Sequence, residues 1–121
     1  MHANNIKFKQ MSPQLLVANL EDAIQFYTTK LGFAVDFIYE DFYAGIIKNG
    51  FSIHLKKDKF FINKNNSDNE NLNILFSVDD IETLYETLLD TVEITQPLRE
   101  MPYGKEFYIA DADKNIIAFV Q

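Results

Sequence analysis

The chain has 121 residues, no cysteine, and 11 basic against 18 acidic side chains, a net charge of −7. That length serves one domain, or two small halves sharing a core, and the missing cysteines exclude disulfides, zinc–thiolate sites and thiol nucleophiles. The acidic balance opposes binding to a phosphate backbone, and no apolar run nears the ~18 residues of a membrane span, so neither nucleic acid nor a membrane is an expected partner.

The opening segment, MHANNIKFKQ, is polar and lacks the apolar stretch of a secretory leader. Together with the absence of cysteine this fits a reducing cytoplasm. Residues 12–18, SPQLLVA, read as a strand, with Pro13 at its start or on an edge because proline cannot donate to a ladder. Asn19 is a good N-cap, and Glu21 and Asp22 favour the helix dipole in the first turn. Leu20, Ala23, Ile24, Tyr27 and Leu31 recur at helical spacing, and Gly32 stands where a left-handed residue ends a helix. The pattern predicts a helix over 20–31.

Three strands follow: VDFIYE at 35–40, FYAGIIK at 42–48 and FSIHLKK at 51–57. Asn49-Gly50 between the last two is a two-residue hairpin signal, since both positions need positive φ. Residues 58–71 are mostly Asn, Asp and Lys and read as a linker loop, with Phe60 and Phe61 expected to dock against the body. The order then restarts. LNILFSV at 72–78 is a strand, Asp79 and Asp80 can cap a helix carrying Ile81, Leu84, Tyr85 and Leu88, and VEITQPL at 92–98 is a strand ended by Pro97. EFYIA (106–110) and IIAFV (116–120) close the chain as a hairpin around DADKN.

Val17 aligns with Val78, Leu20 with Ile81 and Ala23 with Leu84, a constant offset of 78 − 17 = 61 residues. One supersecondary unit is therefore repeated: a first βαβββ module at 12–57, a linker at 58–71 and a second module at 72–121, within a single domain spanning 1–121. The fold class is α+β, with a curved mixed sheet, helices on its convex side and a central cleft.

VANLEDAIQFYTTKLGF, VDDIETLYETL and YGKEFYIADADKNIIAFVQ resemble the phrases of the vicinal oxygen chelate superfamily, which holds glyoxalase I, extradiol dioxygenases and bleomycin-resistance proteins. The resemblance spans Ser12 to Gln121. It implies four metal-ligand positions, two per half, which fall here on Ser12, His54, Asn73 and Ala118. A divalent ion wants three or more strong donors. Only His54 is one; Ser12 and Asn73 are poor and Ala118 has none. The residues therefore predict no metal and no cofactor, against what the resemblance implies, and metal-dependent isomerase or dioxygenase chemistry is not expected. His2 lies in the polar N-terminal segment and adds nothing.

Strand parity gives the lining of the cleft independently. A two-residue turn at 49–50 opposes Lys48 to Phe51, Ile47 to Ser52, Gly45 to His54 and Tyr43 to Lys56. Ala44, Ile46, Phe51, Ile53 and Leu55 then share the face under a helix, and Tyr43, Gly45, Ile47, Ser52, His54 and Lys56 share the other. By the same alternation Ser12, Gln14, Asn73, Glu106 and Tyr108 face the cleft, together with Leu16, Leu75, Ser77, Ile116 and Ala118. Gly45 and Ala118 leave room for ligand groups. The resemblance puts Tyr103 at the pocket mouth. The candidate ligand-binding set is Ser12, Gln14, Tyr43, Ser52, His54, Lys56, Asn73, Tyr103, Glu106 and Tyr108. For Glu106 and Lys56 the simpler alternative is pairing with each other or with solvent.

Two functions fit. In the first, the chain is a metal-free protein of the bleomycin-resistance kind, a cytoplasmic homodimer that sequesters a small organic molecule, cationic or neutral, as in antibiotic resistance; the acidic charge would speed encounter with a cation. The alternative is a small lyase, isomerase or transferase using His54 or Tyr108 as acid or base, with Lys56 polarising an oxyanion. No nucleophile–base–orienter set is legible. The modules can close within one chain or swap across a dimer.

Overall fold

The computed structural model describes residues 3–58 and 72–121. Phe60, Phe61, nearly all of the expected 58–71 linker and His2 lie outside the described residues. The elements in chain order are β1 (Gln14–Val17), α1 (Leu20–Leu31), β2 (Ala34–Tyr39), β3 (Tyr43–Lys48), β4 (Phe51–Lys57), β5 (Ile74–Ser77), α2 (Ile81–Leu88), β6 (Glu93–Met101), β7 (Gly104–Ala110) and β8 (Ile116–Val120). The strands form two four-stranded mixed sheets, β1-β4-β3-β2 and β5-β8-β7-β6. In each, the first strand runs parallel to the last and the rest pair antiparallel. The chain is thus α+β, built from two copies of strand, helix and three strands.

The 61-residue offset holds to the residue at the caps. Asn19 accepts from the Asp22 backbone N–H at 2.9 Å, and 61 residues on Asp80 accepts from the Thr83 N–H. Each cap satisfies an amide that the first helical turn leaves unpaired. Gly32 ends α1 at φ 75°, where a Cβ would be strained. Asn49 and Gly50 take φ of 51° and 82°, the primed-turn geometry that suits a twisted hairpin. That turn sets the register predicted from sequence, with Gly45 opposite His54 and Tyr43 opposite Lys56.

One expectation fails. Pro97 does not end its strand: β6 runs on to Met101, with register shifts between Ile94 and Gln96 and between Gln96 and Arg99. β6 is an edge strand, so the amide that proline lacks is not needed, and the irregularity absorbs the mismatch.

Both modules feed one core. Val17, Tyr27, Ile46, Ile53 and Leu55 from the first and Ile81, Leu88, Phe107, Ile109 and Ile117 from the second belong to a single buried cluster. A polar clasp joins them as well. The Tyr27 hydroxyl donates to Asp111 at 2.6 Å, Asn115 donates its side-chain amide to the Leu16 carbonyl at 3.1 Å, and the Ala18 N–H donates to Asp113 at 2.9 Å. Asp111 is itself buried, and its other oxygen accepts from the backbones of Asp113 and Asn115. Burial and the neighbouring Asp111 push the Tyr27 hydroxyl well above its ordinary pKa. The clasp fixes β1 and α1 of the first module against the closing hairpin of the second. No helix among the described residues is long and apolar enough to cross a membrane.

Candidate functional site

Alternation along β4 and β3 brings Tyr43 and His54 to one face of the first sheet, and the parallel β1–β4 pairing puts Gln14 beside His54. Gln14 donates its side-chain amide to the Tyr43 hydroxyl at 3.0 Å, and that hydroxyl lies 2.8 Å from His54 Nδ1. Phe37, from β2, covers the group. Its ring stacks on Tyr43 with centroids 6.1 Å apart and meets His54 edge-on at 5.3 Å. Lys56, further along the same face, is exposed.

Phe37 also overturns an expectation. A Cβ on Gly45 would sit 2.2 Å from the Phe37 ring, so the space expected for a ligand group is filled by this chain's own aromatic. A glycine inside a strand often marks a site where a neighbour approaches closely, and here an aromatic covers it. That signal could have found Phe37, which sequence reasoning missed.

The second sheet forms a separate polar cluster. Glu106 is 4% exposed. It accepts from Arg99 at 2.8 and 2.5 Å, from the Tyr103 hydroxyl at 2.5 Å and from the Tyr108 hydroxyl at 3.3 Å. The Arg99 guanidinium lies 5.8 Å from the centre of the Tyr108 ring. Burial raises the Glu106 pKa, but hydrogen bonds from Tyr103 and Arg99 outweigh it and hold the carboxyl below its usual value. The hydrogen bond to Glu106 pushes Tyr103 up to about 12. Glu106 thus pairs with Arg99 rather than with Lys56. Arg99 was missed because the strand was ended at Pro97; carried on to Met101, β6 sets Arg99 directly opposite Glu106.

Behind this cluster, Tyr108, Ala110, Ile116 and Ala118 form a small buried group of their own. In the closing hairpin the parity assignment of faces is therefore right, since Phe107, Ile109, Ile117 and Phe119 belong to the main core on the opposite side; in the first sheet Phe51, expected under a helix with Ile53 and Leu55, is instead exposed beside the turn. The expected room beside Ala118 is not there: Ala118 is fully buried. No hydrogen bond or ion pair among the described residues joins the Tyr43–His54 group to the Arg99–Glu106 group.

The four positions matched to metal ligands do not fit an ion. Ala118 carries no donor atom. The Asn73 side-chain oxygen already accepts from the Ile116 N–H at 2.8 Å, tying β5 to β8. Ser12 accepts from Gln10, and His54 Nδ1 is engaged by Tyr43. Among the described residues no group of three or more His, Asp or Glu side chains converges on a point.

A broad groove of about 1110 Å³ runs between the modules, at or just above the size of pockets that take drug-sized ligands (~300–1,000 Å³). It is lined by Phe33 and residues 47–53 from the first module, by residues 74–80 and Phe119 from the second, and by Met11 and Pro13. Asp36, Asp79, Asp80, Lys9 and Lys48 contribute charge to the lining. Of the ten predicted ligand residues, Ser52 alone lines it. The Ser52 hydroxyl is buried without a hydrogen-bond partner among the described residues. His54 lies two residues along β4 on the same face, roughly 7 Å from Ser52 at the rise of a strand.

The family model described as the glyoxalase/bleomycin resistance protein/dioxygenase superfamily matches residues 8–119. Comparison with the curated proteins by sequence finds no match. Among solved structures, the bleomycin-binding protein of Streptomyces verticillus, complexed with copper(II)-bleomycin, superposes with a TM-score of 0.71 at 21% identity, over 95% of this chain and 97% of that one. The fosfomycin resistance protein FosX of Listeria monocytogenes gives a TM-score of 0.76 at 15% identity, over 95% and 93%. Hypothetical protein SA1046 of S. aureus gives 0.75 at 21%, over 97% and 96%. At these identities the structural likeness speaks for the fold, and the family model spans nearly the whole sequence. The chain belongs to the glyoxalase/bleomycin resistance protein/dioxygenase superfamily.

Proposed function

We propose that the chain is a metal-free binding protein that sequesters a small organic molecule in the groove between its modules, against Ile47 and Ser52, with His54 further along the same face of β4. The observation that carries this reading is the pairing of a largely apolar groove of about 1110 Å³ with a donor set that does not suit an ion at the positions matched to metal ligands. An apolar wall supplies affinity in proportion to area buried, and a few polar groups of the lining, such as Asp36 and Lys48, fix orientation. The net charge of −7 favours a neutral or cationic guest. Two proteins of this fold, one that binds bleomycin and one named for fosfomycin resistance, suggest the guest's class: a drug-like organic compound, with antibiotic resistance as the role. A homodimer belongs to the same proposal. β2 is an edge strand exposed along its whole length, with Val35, Ile38 and Tyr39 open to solvent, a surface suited to a second copy. A cytoplasmic location and a single-domain organisation complete it.

A second reading, a small lyase, isomerase or transferase, draws support from the Tyr43–His54 hydrogen bond, which could tune an acid or base. The other candidate, Tyr108, is buried with its hydroxyl on Glu106. A thermal-shift screen against cationic glycopeptides, aromatic drugs and thiol conjugates separates the two. A compound that stabilises the protein and is recovered intact after incubation supports sequestration; consumption of the compound supports the enzyme. Wild-type affinity in a Ser52→Leu variant would remove the groove assignment.

A further inference from the structure

The hydrogen bonds around His54 have a direction. Gln14 donates to the Tyr43 oxygen, and the same oxygen contacts His54 Nδ1. A phenol has one proton and two lone pairs. Gln14 takes one lone pair, and a phenolic proton pointing to Nδ1 makes Nδ1 the bare nitrogen. A neutral imidazole then carries its own proton on Nε2. Among the described residues Nε2 has no hydrogen-bond partner, while Phe37 holds the rings of Tyr43 and His54 from above.

We propose that Gln14 and Tyr43 are positioning residues that lock His54 as a fixed Nε2–H donor, so that the site selects ligands presenting an oxygen or nitrogen acceptor, such as a carbonyl, a ring nitrogen or a sugar oxygen. This rests on the reading that the His54 face of the first sheet contributes to the ligand site. It also bears on chemistry. An imidazole held with its proton on Nε2 offers the guest no lone pair, so His54 orients a ligand rather than taking a proton from it or binding a cation.

The test needs no ligand. Long-range proton–nitrogen correlation spectra of the full chain with ¹⁵N-labelled histidine, at a pH where the ring is neutral, show which nitrogen is bare; a His54→Gln variant distinguishes His54 from His2. The wild type is expected to show His54 in one tautomer, with bare Nδ1. Tyr43→Phe removes the bridging proton and gives a mixture. Gln14→Glu is decisive, because free histidine already leans toward the Nε2–H form. The new carboxylate can only accept, so it takes the Tyr43 proton, the phenolic oxygen becomes an acceptor toward His54, and the bare nitrogen moves to Nε2. Gln14 is exposed, so this variant should fold. A wild type carrying the proton on Nδ1, or a Gln14→Glu variant with an unchanged tautomer, overturns the proposal. Either result is independent of the thermal-shift test of binding, so failure of this proposal and failure of the binding reading are told apart.

Discussion

Replacing Gly45 by alanine probes the aromatic lid of the first sheet. The new methyl would sit 2.2 Å from Phe37 Cε1 and 2.7 and 2.8 Å from two further ring atoms, so the ring must leave. Phe37 is 39% exposed on an edge strand and can swing into solvent. It then loses two aromatic contacts, on Tyr43 and His54, each worth about 0.5–1.5 kcal/mol. Against this, alanine restricts the unfolded chain more than glycine does and returns about 0.4–1 kcal/mol. The net expectation is a loss of about 1–2 kcal/mol, read from guanidinium unfolding with an unchanged m-value. The same substitution in a Phe37→Ala background meets no ring, and there it should be neutral or stabilising by up to about 1 kcal/mol. An equal cost in both backgrounds would refute the claim that Phe37 fills the space over Gly45.

Glu106→Gln removes the charge shared by Arg99, Tyr103 and Tyr108, and because Arg99 is partly exposed the loss should be about 1–3 kcal/mol in urea unfolding at neutral pH. The Glu106 pKa is lowered on folding, so its contribution is present above the ordinary value of 4.5 and fades as pH falls through the lowered one; the gap between wild type and variant should close in acid. Tyr103 moves the other way: its bond to Glu106 stabilises the fold below the ordinary value of 10.0 and is lost as pH rises through about 12. Alkaline absorbance titration should show one phenol at about 12 that vanishes in Tyr103→Phe and drops toward 10.0 in Glu106→Gln. Tyr27→Phe deletes a buried bond to Asp111 across the modules and should cost about 1.5–3 kcal/mol by denaturant unfolding; no loss would remove the clasp from the account of how the modules are held.

Much of the fold was legible because the local signals were unambiguous. Asn19 and Gly32 bracket α1, Asn49-Gly50 sets the β3–β4 register, and the offset of 61 residues recurs at Asp80. Each is a backbone requirement met by few residue types. The site was less legible because alternation sorts faces without saying what lies above them. Parity put Tyr43, Gly45 and His54 together correctly, but Phe37 reaches over from β2 and fills the space. Pro97 hid Arg99, since nothing local shows that an irregular edge strand will tolerate a proline and continue. The groove itself arises where two distant segments, 47–53 and 74–80, meet across the module boundary. No periodicity within either segment encodes that meeting.

The most direct measurement is calorimetric titration of a screening hit into the ¹⁵N-labelled protein with and without a chelator, with amide shifts followed in parallel. Metal-free binding in the groove predicts saturable affinity unchanged by the chelator, with shifts concentrated at 47–53 and 74–80. Affinity that disappears with the chelator and returns with a stoichiometric divalent ion, or shifts that leave both segments untouched, would contradict it.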